Sequence, residues 1–202
     1  MPAAPDPHLR LQELLGHAPQ APDGAPRLLA AWFDTPLGDM ICVTGEDRLH
    51  LLEFVERKVL AAEMRRLSRA MRGRIGIGRT ALTDRTEAGL AAYFAGTRAE
   101  FDLPLAPLGT GFQQQVWAEL ARVPAGLRLS YGELAQRIGR PSAVRAVARA
   151  NGANPIAVVI PCHRILGADG ALTGYGGGLW RKRALLDHED AHFGAPAGQS
   201  AP

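Results

Sequence analysis

Only two of the 202 residues are cysteines, Cys42 and Cys162, and their surroundings differ so much that a disulfide between them is not expected. Both read as free thiols. A long apolar run is also missing: the most apolar stretch near a candidate site, Ile156 to Pro161, falls far short of the roughly 20 residues that span a bilayer, so no transmembrane helix is predicted. The N-terminus, Met1-Pro2-Ala3-Ala4-Pro5-Asp6-Pro7, has neither a basic opening nor an apolar core, which argues against a secretory signal and for the cytoplasm. Charge of one sign is scarce too. A net charge of +3 is too small to demand a polyanionic partner by itself. Metal-ligand spacing is absent: Cys42 with His50 is too sparse for zinc, and His8, His17 and His192 lie in or near the ends. Neither a metal nor a cofactor is expected.

What is present is an ordinary globular composition, 47% hydrophobic and 21% charged, long enough for one sizeable domain or two small ones. The ends are exceptions. Residues 1–27 hold six of the fifteen prolines and read as a mobile leader with one short helix at Leu9 to Leu15, while 190–202 read as a disordered tail. From Leu28 three short antiparallel strands are predicted: Ala30 to Asp34, Met40 to Thr44 and Leu49 to Val55, separated by Gly-containing turns. Leu60, Met64, Leu67 and Met71 then mark a helix with one buried stripe. A second helix is placed from Asp84, with Glu87 as capping-box partner, to just before Gly96. Residues 28–103 thus form an N-terminal α/β domain. The Pro-rich stretch 104–110 reads as a linker, and 111–189 as a C-terminal domain of different architecture.

In that second part, Thr110 with Gln113 and Ser130 with Glu133 fit capping boxes, placing helix starts near Gly111 and Tyr131. Gly139 ends the second of these helices, and Pro141-Ser142 opens another over Ala143 to Ala150, so the pair reads as a helix-turn-helix. Five arginines and one acid, Glu133, lie between Arg128 and Arg149, a local bias concealed by the whole-chain charge. The small residues Ala143, Ala146 and Ala150 would let the second helix approach a groove closely. An arginine-dotted surface helix is the competing reading. The stretch Arg57 to Arg79, with eight Lys or Arg and the single acid Glu63, reads as a solvated helix face with auxiliary DNA contact as the alternative.

The most informative run is Asn154-Pro155-Ile156-Ala157-Val158-Val159-Ile160-Pro161-Cys162-His163-Arg164. It reads as an apolar strand delivering a thiol beside an imidazole and a guanidinium. The thiolate is the reactive form, and neighbouring cationic charge lowers a cysteine's pKa toward neutrality. A buried structural cysteine needs no such company.

Pro161-Cys162-His163-Arg164, preceded by Asn154-Pro155 and followed by Gly174-Tyr175-Gly176-Gly177-Gly178, resembles the bacterial O6-alkylguanine-DNA alkyltransferases, the methylated-DNA–protein-cysteine methyltransferases. The match runs from about Gly111 to Glu189, through Phe112-Gln113-Gln114-Gln115-Val116-Trp117, Ser130-Tyr131-Gly132, Arg145-Ala146-Val147 and the closing Lys182 to Glu189. The first half is similar to the family more loosely. The resemblance implies an α+β fold: a small, ribonuclease-H-like three-stranded antiparallel sheet with helices, then a mostly helical domain with a winged-helix-like helix-turn-helix.

It also implies single-turnover repair of O6-alkylguanine, and of O4-methylthymine, in double-stranded DNA by a monomer bound in the minor groove. By resemblance, Cys162 is the alkyl acceptor, His163 a water-mediated base and Glu189 the residue that orients it. Tyr131 turns the nucleotide and protonates guanine N3, Arg145 fills the space of the flipped base, and Asn154 braces the turn. Ser130, Ala143, Ala146 and Arg149 join Tyr131 and Arg145 in DNA binding. Ile165, Tyr175, Gly176 and Gly177 line the base pocket with Tyr131, the guanine being held largely by backbone groups at Cys162, Ile165 and Gly176. Gly176 stands where some relatives carry a larger or polar residue, which implies a loop over 174–178 that tolerates larger alkyl groups. Lys182 either contacts that loop or complements the last helix, and Trp180 has no assigned role.

Two non-enzymatic alternatives, a sensor of alkylated bases and a methylation-responsive regulator whose linker the leader would be, lack support: the reactive cysteine is present and no additional DNA-binding or activator module is visible. A Cys-His hydrolase normally draws the two residues from distant parts of the chain and has no use for a helix-turn-helix.

Overall fold

The computed structural model describes residues 7–15, 27–72 and 75–194. They form two compact units, one of the described residues up to 88 with 102–108 and the other of 89–101 with the described residues from 109 on.

The first unit is built on a four-stranded sheet in the order β3-β2-β1-β4, with β1 Leu28–Phe33, β2 Met40–Thr44, β3 Leu49–Phe54 and β4 Ile75–Ile77. The three expected strands are antiparallel; the fourth, β4, pairs parallel to β1 through Leu28↔Ile75 and Ala30↔Ile77. The β1–β2 turn closes because Gly38, at φ 103, donates its N–H to the Thr35 carbonyl at 3.0 Å, a conformation most side chains resist. Alternate residues Leu28, Ala30, Ile41, Val43 and Leu51 share a core with Leu60, Met64 and Leu67 of helix α2 (Leu60–Ala70). The stripe predicted by the four-three spacing is the face that packs. Helix α1, Pro7–Leu15, adds Leu11 to the same core.

Three sequence readings change here. Residues 7–15 are helical and Leu11 is buried, so this part of the leader belongs to the fold; 1–6 and 16–26 lie outside the described residues. The second predicted helix, α3, spans Ala81–Phe94 and starts three residues before Asp84. Its cap is a threonine pair: Thr80 N–H donates to Thr83 Oγ1 at 2.8 Å and Thr83 N–H to Thr80 Oγ1 at 3.1 Å, which outcompetes an Asp84–Glu87 box. Glu87 is engaged by Arg79 instead. The 104–110 segment is more than a linker. Leu49 N–H donates to the Pro104 carbonyl and Ala106 N–H to the Leu49 carbonyl, both at 2.9 Å, so residues 104–106 cover the edge of β3.

The second unit contains α4 Gly111–Leu120, β5 Leu129–Ser130, α5 Tyr131–Arg137, α6 Val144–Gly152, β6 Ile165–Leu166 and α7 Leu179–Phe193. Both capping boxes form, Thr110 with Gln113 and Ser130 with Glu133, since each pair satisfies two N–H groups that a helix start leaves without partners. Gly139, at φ 71, ends the α5 segment, and a short 3-10 turn, Pro141–Ala143, precedes α6, which therefore begins at Val144 rather than Ala143. Trp117 fixes α4 against α6 by donating Nε1–H to the Ala150 carbonyl at 2.8 Å.

Residues 89–101 belong with this unit, not with the N-terminal domain drawn at 28–103, because Tyr93 and Phe101 pack with His188 and Phe193 in an aromatic cluster. For the same reason α7 continues past Glu189 to Phe193, where a tail was expected; 195–202 lie outside the described residues.

If α1 is an integral part of the core, Leu11→Ala will lower stability by about 2–3 kcal/mol in urea unfolding. An unchanged midpoint would return 7–15 to a loosely attached leader.

Candidate active site and nucleic-acid interface

The approach to Cys162 is not a strand. Residues 156–161 fold into tight turns closed by Val159 N–H to the Ala157 carbonyl (2.8 Å), Ile160 N–H to Ile156 (3.0 Å) and Cys162 N–H to Ile160 (2.8 Å). Val158 sits at φ 68, a conformation that is rare for a β-branched residue. Cys162, His163 and Arg164 then form one 3-10 turn, all three buried, leading into β6.

Asn154 is the internal brace of these turns. Its Oδ1 accepts from Ile156 N–H at 3.0 Å, and its Nδ2 donates to the carbonyls of Ile156 (3.2 Å) and Ile160 (2.8 Å) and to Cys162 Sγ (3.2 Å). Asn151, which sequence reasoning passed over, donates Nδ2–H to the Cys162 carbonyl at 3.3 Å. The other cysteine contrasts with Cys162: burial within β2 pushes the Cys42 thiol up to about 12, so it is an inert core residue.

Glu189, on α7, is 1% exposed and gathers the site around it. Its Oε1 lies 2.9 Å from His163 Nε2, 2.8 Å from the Tyr93 hydroxyl and 2.7 Å from Arg164 Nη2; Oε2 accepts from Arg164 Nε at 3.0 Å. Burial pushes this carboxyl up, but hydrogen bonds and charge from His163 and Arg164 outweigh it and hold the pKa well below the ordinary range. The carboxylate can only accept, so His163 must carry its proton on Nε2. That leaves the Nδ1 lone pair available, and buried Nδ1 has no protein partner among the described residues. Burial, only partly offset by Glu189, lowers the His163 pKa and keeps the ring neutral at pH 7. The geometry therefore supplies an oriented, neutral imidazole directly after a thiol.

Arg164 plays a different part from the one its position suggested. Its guanidinium points to Glu189 and to the Val123 carbonyl, so it is spent on the carboxylate. Tyr93 was missed altogether. It lies nearly a hundred residues from Glu189 at the end of an apolar helix, and nothing local distinguishes it from a packing aromatic.

Lys182 is fully buried, donating Nζ–H to the carbonyls of Ile165 and, at 2.6 Å, Thr173. It thus ties β6 to the start of the glycine loop, and burial lowers its pKa to about 8. The Tyr131 hydroxyl donates to the Thr173 carbonyl at 3.3 Å, and burial raises its pKa, so it stays a phenol. A Cβ on Gly174 would lie 3.2 Å from that hydroxyl, which explains glycine there together with φ 50. The loop is held further on by Gly178 N–H to the Tyr175 carbonyl (3.1 Å) and Arg181 Nη1 to Gly177 (2.9 Å). Ile165 is buried, Tyr175 half-buried, Gly176 exposed and Gly177 buried. Trp180 is exposed beside them with the Arg181 guanidinium 4.4 Å from its ring centre.

The five arginines of the helix-turn-helix are not equivalent. Arg128 pairs with Asp190 at 2.6 Å, Arg137 lies 3.8 Å from Glu119, and Arg140 stacks over Phe112. Arg145 and Arg149 are exposed on α6 and have no carboxylate partner among the described residues. Ala143 and Ala146 are half-buried beside them. Ser130 accepts from Glu133 N–H at 3.1 Å, and its backbone N–H and hydroxyl both face the Glu133 carboxylate, whose pKa they lower. In the first unit, by contrast, Arg57 and Arg79 are held by acids and Arg66 by a carbonyl, leaving Arg65 and Arg69 as the solvated face of α2.

Among the described residues no helix is long and apolar enough to cross a membrane, and no group of three or more His, Cys, Asp or Glu could hold a metal ion.

Residues 111–191 match the family described as 6-O-methylguanine DNA methyltransferase, DNA binding domain. The chain is 43% identical over 168 residues to the methylated-DNA–protein-cysteine methyltransferase of Salmonella typhimurium, covering 81% of this chain and 96% of that protein. It is 58% identical over 108 residues to the protein of that name from Mycobacterium tuberculosis, an overlap of 54% of this chain and 64% of the relative. The matched region therefore spans somewhat under two thirds of the mycobacterial relatives' length. The crystal structure of Mycobacterium tuberculosis O6-methylguanine methyltransferase is similar, with TM-score 0.71 and 42% identity over 84% of this chain and 96% of that one. So is the structure of the Mycobacterium tuberculosis protein in complex with DNA, with TM-score 0.70 and 40% identity over 83% and 95%.

The low Glu189 pKa makes a stability prediction. A carboxyl whose folded pKa lies below its unfolded value of about 4.5 contributes stability that is complete above that pH and lost as pH falls beneath it. Arg164→Met will cost about 3 kcal/mol at neutral pH, by stranding the buried charge, and will flatten the loss below pH 4.5. Denaturant unfolding over that range checks both; an acid limb as steep as that of the native protein would mean Arg164 does not hold the carboxylate.

Proposed function

The chain belongs to the methylated-DNA–protein-cysteine methyltransferase family, and from that membership we propose that it repairs DNA by moving the alkyl group of O6-alkylguanine onto Cys162. The observation that carries this reading is the buried Glu189–His163 pair, whose geometry leaves His163 Nδ1 as an oriented base in the same turn as the thiol.

The thiol proton passes to His163 Nδ1 through one water. Cys162 Sγ attacks the alkyl carbon, the carbon–O6 bond breaks and its electron pair moves onto the guanine. Tyr131 supplies a proton to N3 and regains one from solvent, which also relieves His163. Tyr131 suits that role because its raised pKa keeps the proton on the phenol until a base demands it. The product is a thioether, and among the described residues no second thiol stands beside it, the other cysteine, Cys42, being buried in β2, so each molecule acts once.

A base inside a duplex is sheltered by stacking, so the lesion must be flipped out. Arg145 and Arg149 support a DNA-facing role for α6, since they are the exposed arginines of that helix and have no acid partner among the described residues, and Ala143, Ala146 and Ser130 leave the approach uncrowded. Arg145 is assigned to the space left by the flipped nucleotide, with the protein bound as a monomer in the minor groove. The pocket comprises Tyr131, Ile165, Tyr175, Gly176 and Gly177. The Cys162 carbonyl accepts from Asn151 Nδ2 and from the Ile165 N–H, and the Ile165 carbonyl accepts from Lys182, so both groups are held in fixed directions beside the proposed pocket. Asn154 holds Sγ in line, and a cytoplasmic setting keeps the thiol reduced. O4-methylthymine is a further substrate by the same chemistry.

Mixing the protein with a duplex bearing O6-methylguanine should add one methyl group, on the Cys162 peptide, in stoichiometric amount. Turnover of many equivalents, or no methyl on the protein, would sink the proposal. Cys162→Ala will transfer nothing yet bind lesion DNA with near-native affinity, which gel-shift titration reads. Arg145→Ala will slow transfer roughly tenfold or more, a loss of about 1.4 kcal/mol of flipping free energy; single-turnover rates at native speed would remove Arg145 from that role.

A further inference from the structure

Glu189 has more donors than an orienting carboxylate needs. His163 requires one lone pair of Oε1, and Arg164 supplies the permanent positive charge that keeps the group ionised. The Tyr93 hydroxyl is a further donor, at 2.8 Å to the same Oε1 that receives His163. Tyr93 is fully buried, its ring packed among Phe94, Phe101, His188 and Phe193, and it comes from α3, outside the matched residues 111–191. A phenylalanine would fill that ring cluster equally well. The hydroxyl is aimed at one acceptor, and that acceptor is the partner of the base.

We infer that Tyr93 is a positioning residue of the alkyl-acceptor site, whose hydroxyl tunes the strength with which Glu189 holds the His163 imidazole. Two donors on one carboxylate oxygen compete for its electron density. With Tyr93 bonded, Oε1 is a weaker acceptor for Nε2–H, the imidazolium is less stabilised, and His163 remains a neutral base to lower pH. The pKa of Tyr93 is itself raised, by burial first and then by Glu189, so its proton stays on the phenol. The charged groups facing His163 are Glu189 and Lys182 from α7 and Arg164 from its own turn; those facing Glu189 are His163 and Arg164, with Tyr93 and the Gly126 N–H, at 3.4 Å, as neutral donors. Burial lowers the pKa of both His163 and Lys182, that of Lys182 to about 8, so the rising limb at lower pH belongs to His163.

This inference rests on the proposed function only in taking Cys162 as the acceptor, so its main test needs no DNA. The rate of Cys162 alkylation by iodoacetamide, read on the Cys162 peptide so that Cys42 does not contribute, is followed from about pH 5 to 9 in the full chain. In Tyr93→Phe the rising limb should move up by about 0.5–1 pH unit, since Glu189 regains full strength toward His163. A limb in its native place, whatever the amplitude, overturns the inference, because lost packing lowers stability without moving a titration. Should Tyr93→Phe fail to fold, 3-fluorotyrosine in place of Tyr93 keeps the ring and sharpens the donor; the limb should then move down, and an unmoved limb again refutes. Methyl transfer from an O6-methylguanine duplex, profiled in the same variants, should shift in parallel. A native protein that accepts no methyl would end the proposed function while leaving the iodoacetamide limb to judge Tyr93.

Discussion

The arrangement of the second unit depends on keeping one ionised carboxylate out of water. Removing such a charge from solvent costs several kcal/mol even after relaxation, and the cost is offset only where its lone pairs are filled by well-aimed donors. Glu189 finds them in three separate stretches of chain, all distant from α7 in sequence: Tyr93 on α3, the Gly126 N–H, and the Cys162–Arg164 turn. The same contacts that make its burial tolerable fix the tautomer of His163. Stability and reactivity are thus joined at one atom, Oε1, and a change that weakens the first alters the second.

That constraint also accounts for the backbone around the thiol. His163 and Arg164 are neighbours in sequence, yet both must reach one carboxylate. In an extended strand successive side chains leave opposite faces, so a strand would send one of them away. A 3-10 turn lets both converge, and the chain takes that turn at Cys162–Arg164. The residues before it must then reverse within a buried environment where backbone groups cannot turn to water. Self-contained turn bonds and the Asn154 amide satisfy them, and Val158 accepts a left-handed conformation worth roughly 1–2 kcal/mol of strain to complete the path.

Features set by near neighbours were legible in the sequence. The Thr110 and Ser130 capping boxes, the Gly139 stop and the Leu60–Met64–Leu67 stripe each rest on contacts within a few residues, and each appears where its spacing put it. The pairing of His163 with Glu189, in the turn that holds Cys162, was legible through a joint resemblance to a family rather than through any one residue. Features decided by distant partners were not. The apolar run 156–161 reads as a strand because periodicity reports burial, not hydrogen bonding, and it cannot foresee that a carboxylate on α7 demands a turn. Residues 104–106 read as linker because prolines conceal an edge pairing whose acceptor and donor come from Pro104 and Ala106. Tyr93 was invisible for the same reason: its meaning lies in its hydroxyl's destination, and its neighbours predict only packing.

Charge shows the same distinction between what a residue is and what it remains free to do. The helix-turn-helix carries five arginines against one acid, but Arg128 and Arg137 are drawn to acids elsewhere in the unit and Arg140 to an aromatic face. Local counting therefore overstates the charge available to a phosphate backbone, since two of the five are paired with acids, while Arg140, exposed and still charged, is held against a ring. Arg145 and Arg149 are four apart on α6, one turn of one helix face, with Ala146 and Ala148 between them. A helix with bulky residues there would stand off a groove, and one with paired arginines would enter it without charge. The acid pairing of Arg128 and Arg137 offsets their charge, so that on the proposed reading the attraction is concentrated on α6 and on Arg140 just before it.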